Sequence, residues 1–149
     1  MVNLTLTQVF LVWVVGFGFL TYLIKNKVVS FFNSAGIPRF LSYLIIILPL
    51  VLVEEFLTCE TPFLSCIQIT VPVFYIMFLM IYLVEKIFKL KHIALAIIFA
   101  IMGWINEFIL VGRINQLDLV VLILFSVLNS LIYGVIALVP SYYLEKSRR

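Results

Sequence analysis

Five long apolar runs divide the chain and constrain its fold more than any other feature. About 20 mostly apolar residues are enough for a helix to cross the roughly 30 Å hydrocarbon core of a bilayer. Of the 149 residues 65% are hydrophobic and 11% are charged, whereas a soluble domain carries about 25% charged residues. We therefore predict an all-α integral membrane protein, a compact bundle of about five transmembrane helices. It forms a single polytopic domain, residues 1–149, and its predicted spans are residues 4–24, 40–58, 66–84, 93–111 and 119–138.

The basic residues predict how the chain is threaded. Cytoplasmic loops of membrane proteins are enriched in lysine and arginine. The first loop, the third loop and the C-terminal tail hold every basic residue except Arg113: Lys25, Lys27, Arg39, Lys86, Lys89, Lys91, Lys146, Arg148 and Arg149. Five spans with the N-terminus outside and the C-terminus in the cytoplasm place all of these on one side. The net charge of +3 thus reflects the basic residues on the cytoplasmic side and does not indicate a nucleic-acid partner. We predict a plasma-membrane protein.

Two cysteines, Cys59 and Cys66, bracket the segment CETPFLSC, which this threading places outside. An oxidising exterior permits a disulfide between them. The alternative is two unpaired thiols at helix ends, since free cysteine behaves as a small hydrophobe. The single histidine, His92, is predicted on the opposite side of the membrane, so we expect no metal site.

Carboxylates interrupt two of the apolar runs at the same depth. Glu54 and Glu55 precede the outer end of the second span, and Asn106 and Glu107 precede that of the fourth, with Arg113 just beyond. An ionised side chain at the bilayer centre costs about 2.5–3.5 kcal/mol on the insertion scale, and less toward the interface. Such residues usually face the bundle interior and mark a functional site. We predict that these five residues bind a ligand; structural ion pairing and outward snorkelling are the alternatives.

Helix geometry predicts how these side chains point. Adjacent positions on a helix differ by about 100°, so one of Glu54 and Glu55 is expected to face the site and the other a neighbouring helix. Glu107 and Arg113 are six residues apart, about 240° around an uninterrupted helix. We therefore expect the partner of Glu107 to come from another helix.

The fifth span adds a polar stripe. Four residues recur at i, i+3, i+4 and i+7, which is one helix face: Ser126, Asn129, Ser130 and Tyr133. In membranes such side chains usually hold helices together. The alternative is an extension of the polar site toward the middle of the membrane. On that alternative, Asn129 and Tyr133 join the predicted ligand-binding residues.

The adjacent Glu54 and Glu55 resemble the paired glutamates of the CAAX-protease and bacteriocin-processing family of glutamate intramembrane proteases. In that family the first glutamate activates water and downstream histidines complete the site. The resemblance is carried by Glu54 and Glu55. Glu60 and Thr61 occupy the region of the family's arginine, and no later membrane histidine follows.

Three functions therefore fit the sequence. The first is binding or transport of a proton, a cation or a cationic ligand at the acidic site, as a homo-oligomer or as a subunit among other membrane proteins. The second is an intramembrane enzyme that uses one glutamate as a general acid or base on a lipid or isoprenoid-like substrate. The third is a structural accessory subunit. The sequence predicts no particular cofactor.

Overall fold

The computed structural model describes Gln8, residues 10–58 and residues 63–148. Within these residues the chain forms five helices: α1 (Leu11–Ser34), α2 (Arg39–Thr58), α3 (Phe63–Phe88), α4 (His92–Leu110) and α5 (Leu119–Lys146). The first turns of α1, Leu11–Phe17, and the last turns of α4, Asn106–Leu110, are π-helical. A 3₁₀ turn, Arg113–Asn115, lies between α4 and α5.

Four of these helices, α1, α3, α4 and α5, are long and apolar enough to cross a membrane. The other helix, α2, has 20 residues and carries three charged side chains, Arg39, Glu54 and Glu55. The chain is therefore a multi-pass helical membrane protein, and the predicted all-helical class is confirmed.

Two helices continue past the predicted ends of their spans. Helix α1 runs through Lys25 and Lys27 to Ser34, so these lysines lie on a helix and not in a loop. Helix α5 continues beyond residue 138 to Lys146. Charged residues end an apolar run, but they do not end a helix. The backbone of α1 leaves the helix only shortly before Gly36, whose φ of +67° is a conformation that glycine adopts without strain.

Helix α5 is the centre of the bundle and contacts each of the other four helices. Its C-terminal half supplies many of the buried side chains, among them Ile136, Ala137 and Leu144. Aromatic rings fill the space between α3, α4 and α5. The rings of Phe78 and Phe99 stack with centroids 4.1 Å apart, and the Tyr133 ring of α5 stacks on Phe74 at 5.3 Å. This packing holds α4 and α5 close together.

Gly103 of α4 permits that close approach and gives a test of it. A Cβ at this position would overlap the ring atoms of Tyr133. We expect Gly103→Ala to lower the free energy of unfolding by about 1–3 kcal/mol, as overpacking typically does. The matched control is Gly134→Ala, where the Cβ would lie 3.9 Å from that of Ala100. Thermal unfolding of both purified variants measures the difference, and equal melting temperatures would contradict the predicted overlap.

Candidate functional site

Glu54 and Glu55 lie near the C-terminal end of α2, and both are buried, with 7% and 4% of their surface exposed. Glu55 hydrogen-bonds the side chains of Glu54 and of Thr70 on α3. Glu55 thus contacts a neighbouring helix, α3, as well as Glu54, and which of the two glutamates faces a binding site stays a prediction. The flexible side chains of adjacent glutamates converge although their Cβ atoms diverge. A hydrogen bond between two carboxyl groups requires a proton on one of them, because an ionised carboxylate only accepts.

Glu107, near the end of α4, is held by two partners. The Arg113 guanidinium pairs with it at 2.8 Å between Nε and Oε2, and the Tyr133 hydroxyl donates to Oε1 at 3.2 Å. Another helix, α5, therefore supplies one partner, Tyr133, whereas the basic partner is Arg113, just beyond the end of α4. Helix α4 ends at Leu110, and Gly112 has a φ of +80°. This turn redirects the chain, so Arg113 lies off the line of the helix and reaches back.

The last turns of α4 are widened around the same residues. The Val111 amide donates to the Asn106 carbonyl at 2.9 Å, an i to i+5 bond. Short π-helical turns of this kind occur frequently at functional sites. The side chain of Asn106 lies close to the Tyr133 hydroxyl, so the tyrosine lies between Asn106 and Glu107.

The three acids belong to one cluster. Glu107 is close enough to Glu55 for their charges to interact. Glu107 and Glu54 are both close enough to Tyr133 for the same kind of interaction. Helices α2, α4 and α5 thus bring these side chains together, and α3 contributes Thr70. We call Glu54, Glu55, Asn106, Glu107, Arg113 and Tyr133 the acidic cluster.

The polar stripe of α5 divides between packing and the acidic cluster. Ser126 accepts a hydrogen bond from the Trp104 indole of α4, and the Ser130 hydroxyl donates to the Ser126 carbonyl at 2.9 Å. Ser126 therefore joins α5 to α4, whereas Ser130 bonds the backbone of its own helix. Tyr133 joins the acidic cluster. Asn129 lies between them, and its buried Nδ2 has no hydrogen-bond partner among the described residues.

A second charged cluster lies at the opposite end of the bundle. Glu85 of α3 is 1% exposed, and its two oxygens bind Arg39 at 2.6 Å and Arg148 at 2.5 Å. Arg39 also donates to the Leu144 carbonyl at 2.6 Å and to the Ser147 hydroxyl at 3.0 Å. One buried carboxylate thereby ties α2, α3 and the end of α5 together.

The predicted third span ends at residue 84, which puts Glu85 in the basic third loop and does not reveal this role. The missed signal is the spacing of the buried face of α3. Phe74, Phe78 and Ile81 are buried on that face, and Glu85 continues their helical spacing. An acid on the buried face of a helix needs a partner, and Arg39 and Arg148 supply it.

The predicted disulfide cannot be compared with the structure, and His92 lies at the end of the bundle opposite the acidic cluster. Cys59 falls outside the described residues, as does the side chain of Cys66, so their disulfide stays a prediction. His92 begins α4, where its backbone amide and Nδ1 contact Glu145 Oε2 at 2.7 Å and 2.6 Å. This contact joins the start of α4 to the end of α5.

Comparison of the chain with protein-family profiles, with curated proteins and with solved structures finds no match.

Proposed function

We propose that the chain binds a proton, or a cation in its place, at the acidic cluster, near the extracytoplasmic face of the plasma membrane. The orientation, with the N-terminus outside and the C-terminus in the cytoplasm, rests on the distribution of lysine and arginine. The ends that carry Glu85 and the acidic cluster are opposite ends of the same helices. The basic end is then cytoplasmic, and the acidic end faces out.

The observation that carries this proposal is the burial of Glu54 and Glu55 against each other beside Glu107. Each ionised carboxylate taken out of water costs several kcal/mol unless it is compensated. Arg113 is the one lysine or arginine that the sequence places between Lys91 and Lys146, and it pairs with Glu107. A proton shared by Glu54 and Glu55 lowers this cost and accounts for the hydrogen bond between them.

The donor set favours a proton or a small cationic ligand. It consists of carboxylate, amide and hydroxyl oxygens, which suit protons and hard cations. Among the described residues no three histidine, cysteine or acidic side chains are close enough to hold a metal ion. A proton that two carboxyls exchange needs no such set.

The acidic cluster has a continuation along α5. Asn129 lies one turn before Tyr133, toward the start of that helix, and its buried amide nitrogen has no hydrogen-bond partner among the described residues. Transport would require such groups to continue to the other face. We propose that a second copy of the chain, or another membrane subunit, completes that route, which the mass of the protein purified in detergent tests.

Infrared spectroscopy tests the bound proton directly. We expect the protein in lipid at neutral pH to show the carbonyl band of a protonated carboxyl, and we expect Glu55→Gln to lose it. The matched control is Glu145→Gln, because Glu145 pairs with His92 at the other end of the bundle. A wild-type spectrum without this band would overturn the proposal. A band that survives in both Glu54→Gln and Glu55→Gln would also overturn it.

A further inference from the structure

A cavity of about 340 Å³ lies beside the link between α1 and α2, far from the acidic cluster. Four polar residues line it: Asn33 from α1, Arg39 from α2, and Tyr143 and Ser147 from the end of α5. Apolar walls come from Phe32 and Ile37. Groups from three helices therefore converge on one space at this end of the bundle.

The charge beside the cavity is positive. Arg39 and Arg148 share one carboxylate, that of Glu85. Arg39 uses Nε for Ser147 and Nη2 for Glu85 and the Leu144 carbonyl. Its Nη1 makes no hydrogen bond within the described part of the chain. The guanidinium thus retains donors and uncompensated charge for an anion.

Tyr143 adds an unused hydrogen-bonding group. It is 1% exposed and lines the cavity. Its hydroxyl makes no hydrogen bond to any described residue. The hydroxyl is therefore available to a molecule in the cavity. An acceptor in the cavity would satisfy Tyr143 and the free donors of Arg39 together.

We propose that this cavity binds the phosphate of an anionic membrane lipid. A phosphate offers several acceptor oxygens, which the planar guanidinium recognises well. Helix α5 has 28 residues, more than the roughly 20 that span the hydrocarbon, so its end reaches the headgroup layer. The apolar walls suit the glycerol and upper acyl carbons.

Two further cations lie at the same end of the bundle as the cavity. Lys25 and Lys146 both lie over the ring of Tyr142, with their Nζ atoms 5.2 Å and 5.6 Å from its centroid. Basic residues near a membrane surface are attracted to anionic lipid headgroups. The site is independent of the acidic cluster, so each proposal can fail without the other.

Native mass spectrometry of the full chain in detergent tests the site with phosphatidylglycerol and with diacylglycerol of the same acyl chains. We expect the wild type to retain phosphatidylglycerol in preference to diacylglycerol. We expect Tyr143→Phe to weaken that retention about three- to tenfold, the effect of one hydrogen bond. The matched control is Tyr142→Phe, whose hydroxyl bonds Asn26 at 2.7 Å outside the cavity.

Arg39→Gln should abolish retention, but it also breaks the pairing of Glu85, so Tyr143→Phe and Asn33→Leu carry the test. Displacement of phosphatidylglycerol by inorganic phosphate supports a shared phosphate site. Binding of inorganic phosphate without retention of phosphatidylglycerol would overturn the lipid assignment. Equal retention of both lipids, or wild-type retention by both Tyr143→Phe and Asn33→Leu, would overturn the proposal.

Discussion

Replacing Glu85 by leucine is expected to lower the free energy of unfolding by about 3–5 kcal/mol, the cost of breaking a buried ion pair from one side. Glu85 is 1% exposed and binds both Arg39 and Arg148. Without it two guanidinium groups lose their counter-charge at the same place. Each arginine side chain is 29% exposed. Water therefore compensates part of the lost ion pairing, and we expect a destabilisation of about 3 kcal/mol, the lower end of this range.

A triple variant shows whether Glu85→Leu destabilises the protein by leaving two arginines without a counter-charge or by disturbing the packing. Arg39→Leu, Glu85→Leu and Arg148→Leu together leave no charge in this cluster, so most of the stability should return. Glu145→Gln breaks a more exposed pair with His92 and should cost less than about 1 kcal/mol. Unfolding of the purified variants by heat measures all three. A triple variant as unstable as Glu85→Leu would show that the carboxylate acts through packing and not through charge.

On the proposed function, Glu55→Gln is expected to leave the fold intact and to stop proton movement through the acidic cluster. Glutamine has the shape of glutamate and can keep hydrogen bonds to Glu54 and Thr70, but it can neither take up nor release a proton. In vesicles that contain a pH-sensitive dye, we expect proton flux to fall on the order of a hundredfold, the size typical for removal of a proton-transfer group.

Two controls accompany this measurement. Glu55→Asp keeps a carboxyl group and should recover part of the flux. Ser130→Ala removes a hydroxyl that bonds the helix's own backbone and should leave the flux unchanged. Flux through Glu55→Gln equal to that of the wild type would contradict a role for this carboxyl. Wild-type flux equal to that of protein-free vesicles would restrict the acidic cluster to binding.

The sequence predicts part of the acidic cluster because depth along a helix follows from counting residues. Glu54 and Glu55 on one helix and Glu107 on another lie at nearly the same distance from the ends of their predicted spans. Contacts that depend on the path of the backbone between helices are not predicted by counting. Arg113 reaches Glu107 because Gly112 redirects the chain, and Tyr133 reaches the same carboxylate because Gly103 lets α5 approach α4.

By itself, then, the sequence determines that the chain is a helical membrane protein. It has too few charged residues to form a water-soluble surface over its apolar segments. It also determines which residues carry charge at each helix end. Only the tertiary structure decides which charges meet. Glu85 looks like one acid among lysines, yet it becomes a buried partner of two arginines that are distant in the chain. The physical reason is that hydrophobicity acts on each segment separately, whereas ion pairs and hydrogen bonds depend on distances that arise only when the helices pack.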